Sequence, residues 1–320
     1  MTLTRIKQNN FLVFGRAGLD LYADPPETEI ETAGKFSSAL GGSAANIAAG
    51  ITRLGGQASL VSAISNDAVG RYITNQLKNY DIGADYVKLV GGESRASLAV
   101  VETRPENCQS VIYRNGAADF QMTDAQVRAI AFERFGAVIV TGTCLAIEPS
   151  RSATFVAIEL ARKAGLTVIL DVDYRPYSWI STADAAETYA RLASLCDIVV
   201  GNDEEFSVMT DGGDGPAQAR ALAATTAEIV VYKMGEKGSI TYCNDEIFET
   251  GIYPVAALKP TGAGDAFMAA FVTGLASGAD LQDCVNRGSA AAAIVVTKVG
   301  CAPAMPNAAE LQHFISTHSL

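Results

Sequence analysis

Apolar residues along this chain follow two rhythms, short unbroken runs and stripes at helical spacing. Phe11-Leu-Val-Phe-Gly15 is an unbroken run and predicts a buried first strand. Behind Gly41-Gly-Ser-Ala-Ala-Asn46, residues Ile47, Ile51 and Leu54 recur on one helical face, so a helix opens there with Ser43 as its N-cap and ends at Gly55-Gly56. Leu60 to Ile64 is a second strand. From Ala137 the order becomes strand, helix, strand: Val138–Gly142, Pro149–Ala164 and Thr167–Asp171, then strands leading up to Asn202 and over Glu228–Lys233. That alternation predicts an α/β fold, a mostly parallel sheet with helices on its faces. Two stretches break it. Residues 21–39 are polar with short extended pieces, and residues 94–114 hold two short β runs, Ser97–Val101 and Ser110–Arg114.

The most informative pattern lies at Leu258–Leu275, LKPTGAGDAFMAAFVTGL. Pro260 ends an extended segment, because it removes a backbone donor and fixes its own φ. From Asp265 the rhythm is helical, with Phe267, Phe271 and Leu275 on one face. The free N–H groups of Gly262, Ala263 and Gly264 then lie at a helix N-terminus, whose partial positive charge suits an anion. Asp265 in that first turn is either a cap or a carboxylate that takes a proton from a reacting hydroxyl.

Composition narrows the field. The chain has 320 residues, of which 49% are hydrophobic and 18% charged, enough for a sizeable core. Its net charge of −11 argues against nucleic acid or an anionic membrane as partner. The six cysteines show no C-x-x-C spacing, as expected of thiols in a reducing compartment. No signal-peptide or membrane-length apolar run stands out, so a cytoplasmic location is expected. The first strand is followed by GRAGLD, which lacks the G-x-G-x-x-G of a dinucleotide-dependent oxidoreductase, and no P-loop is present.

The stretches LGGSAANIAAGITRLG at 40–55 and PTGAGD at 260–265 together resemble the paired signatures of the ribokinase-like (PfkB-type) sugar kinases, and intermediate pieces match in order over nearly the whole chain. The resemblance implies one domain over 1–320, a three-layer α/β/α body with a small β lid from about 16–39 and 93–118. It implies ATP and Mg²⁺ as cofactors and transfer of a phosphoryl group to a primary hydroxyl. Asp265 becomes the catalytic base and Gly262, Ala263 and Gly264 the anion hole. Asp20, Gly41, Gly42 and Asn46 become sugar ligands, the glycine pair by letting substrate approach the backbone. Asn202 and Glu205 would act near Mg²⁺ through water, a spacing that is also that of a helix capping box. Lys233, Gly235 and Gly238 would pack on the nucleotide, with a β-hairpin turn as the plainer reading of the two glycines.

The runs YRNGAAD at 113–119 and DYRP at 173–176 are similar to the acid-sugar branch of that family. Arg114 and Arg175 are therefore candidates for a substrate carboxylate, against plain surface charge. Fructokinase and 2-dehydro-3-deoxygluconokinase activities would use the same catalytic residues, and a non-catalytic regulator would be expected to have lost Asp265 or the glycines. A homodimer through the lid is a further implication of the resemblance. The chain departs from the family's commoner wording at Lys259, where many relatives carry an Asp that helps hold a monovalent cation. An ammonium has donors only and cannot ligate one. It either points to solvent or supplies similar charge itself.

Overall fold

The computed structural model describes residues 6–244 and 246–320; residues 1–5 of the domain expected over 1–320, and Asp245, lie outside the described residues. Strands such as Ala137–Thr141 and Thr167–Asp171 are buried at every position and apolar through their middles, because helices cover both faces of the sheet they enter. Among the described residues nine strands share that sheet. Their order is Glu246–Thr250, Ser239–Cys243, Ile229–Lys233, Ile198–Asn202, Thr167–Asp171, Ala137–Thr141, Asn10–Phe14, Gln57–Ser65 and Gly83–Val90. The strands from Ile229–Lys233 to Gly83–Val90 run parallel, and Ser239–Cys243 pairs antiparallel on both sides.

Alternate side chains of the first strand enter opposite layers. Phe11 and Val13 pack with Ile139, Ile169 and Val200 beneath the helices Ser43–Arg53, Ala263–Ala276 and Leu281–Val296. Leu12 and Phe14 pack with Val138, Val140 and Leu170 beneath Ser150–Lys163, Thr182–Ala193 and Gly215–Thr225. The result is the three-layer α/β/α body that the resemblance implies.

The two polar stretches supply a second sheet, in the order Phe36–Gly41, Gly18–Ala23, Leu98–Val101, Ser110–Tyr113. It buries only a small cluster of Tyr22, Ala39, Ala99 and Val101, while Val111 and Tyr113 stay exposed. Gly18–Ala23 follows the carboxyl end of the first strand of the large sheet, so the small sheet rises from that edge. Thr141, Asp171, Asn202 and Lys233 end their parallel strands there too. Ligands of open α/β sheets bind at this edge, where the strand order reverses about the first strand.

Candidate active site

Gly262 takes up a left-handed conformation (φ 85°) and serves as N-cap of Ala263–Ala276. The helix's first backbone bond runs from Ala266 N–H to Gly262 O at 3.0 Å. The N–H groups of Gly262, Ala263, Gly264 and Asp265 precede that bond and have no partner within the helix. All residues from Ala266 to Leu275 are buried, so the helix is held on every side and its N-terminus is fixed in place. Asp265 does not cap this helix. Its Oδ2 accepts a hydrogen bond from Asn46 Nδ2 at 2.9 Å, a contact between residues 219 apart in the chain. Desolvation, reinforced by the nearby Asp173 carboxylate, pushes the Asp265 carboxyl up to about 7 against the pull of Asn46, Arg175 and Lys233. A base with that affinity is poised near neutral pH.

Asp265 borders a cavity of about 270 Å³, below the roughly 300–1,000 Å³ of pockets for drug-sized ligands. Asp20 and Asn46 line it. Asp20 Oδ2 accepts from Tyr22 Oη at 3.1 Å, whereas Asp20 Oδ1 and Asn46 Oδ1 are buried without a hydrogen-bond partner. An unsatisfied buried acceptor costs about 1–3 kcal/mol, so two beside one cavity suit a ligand rich in hydroxyl donors. Burial raises the Asp20 carboxyl above its ordinary range, with Arg16 opposing the shift.

Two expectations for this region need correction. Ser43 is not the N-cap; Gly42 is, and Ser43 Oγ instead donates to Asp173 Oδ2 at 2.6 Å. The glycine pair does not line the cavity. A Cβ on Gly41 would stand 1.9 Å from Asp20 Oδ1, and one on Gly42 would stand 2.3 Å from Arg16 O. The space these glycines open is filled by the protein's own Asp20 and Arg16, so they serve the substrate side only by letting those residues in.

Arg114 and Arg175 both line the cavity, and both already hold a carboxylate. Arg114 is buried, its Nε and Nη2 bound to Asp119 Oδ2, its Nη2 also 2.8 Å from Thr143 O, and its plane 4.0 Å over the Phe120 ring. It is not a charge on the lid surface. Arg175 Nη2 lies 2.5 Å from Asp173 Oδ1. Asp173 itself sits at φ 40°, a strained backbone state for a non-glycine residue of the kind that concentrates at functional sites.

The residues expected near ATP and Mg²⁺ lie on neighbouring strand ends. Asn202 and Glu205 form a reciprocal capping box, Glu205 N–H to Asn202 Oδ1 at 2.9 Å and Asn202 N–H to Glu205 Oε2 at 2.7 Å. Lys233, opposite Asn202 in the sheet, comes close to the helix N-terminus: a Cβ built on Gly264 would be 3.5 Å from its Nζ. Gly235 and Gly238 turn the hairpin between Ile229–Lys233 and Ser239–Cys243, with Met234 N–H bonded to Gly238 O at 2.8 Å. The hairpin accounts for both glycines. Among the described residues no three acidic, His or Cys side chains converge to enclose a metal. Buried Asp171 and Glu205, both raised mainly by desolvation, stand by Lys233 instead. This donor set fits an ion that keeps its water and binds chiefly through phosphate oxygens, as Mg²⁺ does.

Lys259 does not reach solvent. It is fully buried, its Nζ donates to Thr261 O within the turn, and its burial lowers its proton affinity while Cys301, Asp265 and Asp20 oppose that shift. Arg16, Asp173 and Tyr22, none of them a candidate from the sequence, also line the cavity. Asp173 opens the run DYRP at 173–176, and its signal is that of a polar residue just past a strand's carboxyl end. Nothing local marked Arg16.

Residues 8–308 match the family described as pfkB family carbohydrate kinase. The 5-dehydro-2-deoxygluconokinase of Photobacterium profundum is 40% identical over 312 residues, covering 96% of this chain and 94% of that one. Among solved structures, a putative ribokinase II from E. coli in complex with ATP and Mg²⁺ superposes with a TM-score of 0.86 at 19% identity, covering 97% of this chain and 99% of that one. A double mutant of fructokinase from Vibrio cholerae, in fructose, ADP and potassium ion bound form, gives 0.84 at 24% identity with the same coverage of 97% and 99%. Among the described residues no helix is long and apolar enough to cross a membrane.

Proposed function

The chain belongs to the pfkB family of carbohydrate kinases, and from that footing we propose that it transfers the γ-phosphoryl group of ATP to the primary 6-hydroxyl of 5-dehydro-2-deoxygluconate. One juxtaposition carries the reading: Asp265, poised near pH 7 at a helix N-terminus, borders a sugar-sized cavity that three guanidinium groups, those of Arg16, Arg114 and Arg175, also line. The relative at 40% identity is named for an acid-sugar substrate, and a guanidinium at the cavity suits the carboxylate of such a ligand.

Phosphoryl transfer asks for alignment and charge stabilisation more than for covalent help. Asp265 takes the hydroxyl proton as the oxygen attacks, and Asn46 keeps the carboxylate aimed. The N–H groups of Gly262, Ala263 and Gly264 receive the oxygens of the transferring group, with the Lys233 ammonium beside Gly264 adding positive charge. Mg²⁺, held by phosphate oxygens and water near Asn202 and Glu205, would neutralise phosphate charge. Asp20 Oδ1 and Asn46 Oδ1 accept from sugar hydroxyls, and the small sheet keeps bulk water from the reacting oxygen.

The test is ADP release with 5-dehydro-2-deoxygluconate, 2-dehydro-3-deoxygluconate, fructose and ribose as acceptors. The first is expected to give the highest kcat/KM; a higher value for fructose or ribose would remove the acid-sugar assignment. Absence of ADP release with every acceptor would favour a binding protein.

The buried Lys259 carries a prediction of its own. With an ammonium tethered behind the turn at Thr261, the chain lacks the carboxylate that would hold a monovalent cation there and already has the charge in place. Initial rates at fixed Mg²⁺, ATP and ionic strength should therefore stay level when K⁺ is replaced by a bulky organic cation. A several-fold fall on that exchange would mean that backbone carbonyls alone bind the ion.

A further inference from the structure

We propose that Arg16 is the side chain that reads the substrate's carboxylate, an assignment that rests on the acid-sugar kinase reading above and names its specificity-determining residue. The argument turns on which of the three guanidinium groups at the cavity still has charge to offer. Arg114 is spent on Asp119, Thr143 O and the face of Phe120. Arg175 is paired with Asp173 and donates its Nη1 to Tyr174 O at 2.9 Å. Each of these cations arrives at the cavity already neutralised.

Arg16 differs. It is only 8% exposed, and its side chain makes one hydrogen bond, from Nη1 to the neutral Ser97 Oγ at 3.1 Å. Among the described residues no carboxylate lies at ion-pair distance from it. Asp20 feels its field, yet keeps Oδ1 unpartnered instead of closing a salt bridge. A buried cation with only a neutral partner is costly to a fold, and a ligand anion relieves that cost. A guanidinium with donors left over is also the group whose planar fork matches a carboxylate through two parallel bonds.

Its mounting suits the task. Arg16 follows the first strand of the large sheet directly, and its carbonyl is clamped against Gly42, where a Cβ would come within 2.3 Å. Ser97 precedes the small-sheet strand Leu98–Val101, and its carbonyl accepts from Leu19 N–H at 3.1 Å. The guanidinium is thus held between the two sheets, at the cavity that the unpartnered acceptor of Asp20 also borders. One end of an acid sugar would meet the cation while a neighbouring hydroxyl meets Asp20.

The experiment compares two acceptors, 5-dehydro-2-deoxygluconate and the neutral analogue in which the carboxylate is reduced to a hydroxymethyl group. They are assayed with the wild-type protein, Arg16→Gln, Arg16→Lys and Ser97→Ala. Loss of a charge-assisted bond predicts that Arg16→Gln lowers the acid-to-neutral ratio of kcat/KM by about ten- to a hundredfold, mainly through KM for the acid. Arg16→Lys should recover part of the ratio, since it keeps the charge and loses the fork. If Arg16→Gln does not fold, Ser97→Ala decides: it keeps the cation but frees its orientation, and should lower the ratio several-fold. An unchanged ratio in the variants that fold overturns the assignment, as does equal loss with both acceptors. Should the wild-type protein show no preference for the acid, the acid-sugar reading falls and takes Arg16 with it, an outcome visible before any variant is compared.

Discussion

Asp265→Asn is expected to lower kcat by ~10²–10⁴ while ATP binding survives. The amide keeps the shape of the carboxylate and can still accept from Asn46 Nδ2, now 2.9 Å from Oδ2, but it cannot take a proton. The same residue sets a pH profile. The Asp265 carboxyl is pushed up to about 7, first by desolvation and then by Asp173, and only its ionised form is a base. The kcat/KM of the wild-type protein should therefore climb with pH along a limb of unit slope that levels off above about 7.

The effect on stability has a definite sign. A carboxyl whose folded-state affinity for protons is raised favours folding at low pH, and that contribution is lost as pH rises through the folded value. The asparagine variant lacks this penalty, so its melting temperature should equal or exceed that of the wild type at pH 8. Below the ordinary carboxyl range of 3.8 both side chains are neutral and the difference should vanish. Residual kcat above a tenth of the wild-type value, or a pH limb that persists in the variant, would remove Asp265 from the role of base.

Gly262→Ala is expected to cost both stability and turnover, whereas Gly264→Ala should leave stability nearly unchanged. The two glycines flank Ala263 but are needed for different reasons. Gly262 is left-handed at φ 85°, and a Cβ there would lie 2.8 Å from Cys301 Sγ and 3.1 Å from Val295 Cγ1. Left-handed backbone costs an L-residue roughly 1–2 kcal/mol, and the crowding adds to it. At Gly264 the added Cβ would meet only Lys233 Nζ, at 3.5 Å, an ordinary contact.

In a chain of this size each kilocalorie moves the melting temperature by about 1–2 °C, so calorimetry can separate the two variants. The strain at Gly262 is relieved by shifting the turn, which carries the N–H groups of residues 262–264 with it. Misplacing an oxyanion donor costs ~10²–10³ in kcat, and a loss of that order is expected for Gly262→Ala. A Gly262→Ala protein as stable and active as the wild type would show that the turn tolerates a side chain and that its geometry does not set the rate.

What could be read from the chain alone were features that depend on neighbours within a turn or two. The apolar runs at Phe11–Phe14 and Thr167–Asp171 gave the strands, because a strand buried on both faces is apolar at successive positions. The turn at 260–265 and the capping box of Asn202 and Glu205 were legible for the same reason, being spacings of three to five residues. The resemblance added the family and the candidate base, since both reside in contiguous motifs.

The charge state of the cavity was not legible. Whether Arg114 and Arg175 are free or spent depends on where Asp119 and Asp173 point once their segments pack, and Arg16 is unpaired only because no carboxylate from another element reaches it. Asn46 meets Asp265 across 219 residues because the helices Ser43–Arg53 and Ala263–Ala276 lie side by side. Lys259 is buried because Cys301 and Asp20 arrive from opposite ends of the chain to surround it. Spacing along a sequence carries no record of those approaches; they are decided by the stacking of layers, which brings distant residues within a few ångströms and sets which polar atoms keep partners and which are left for a ligand.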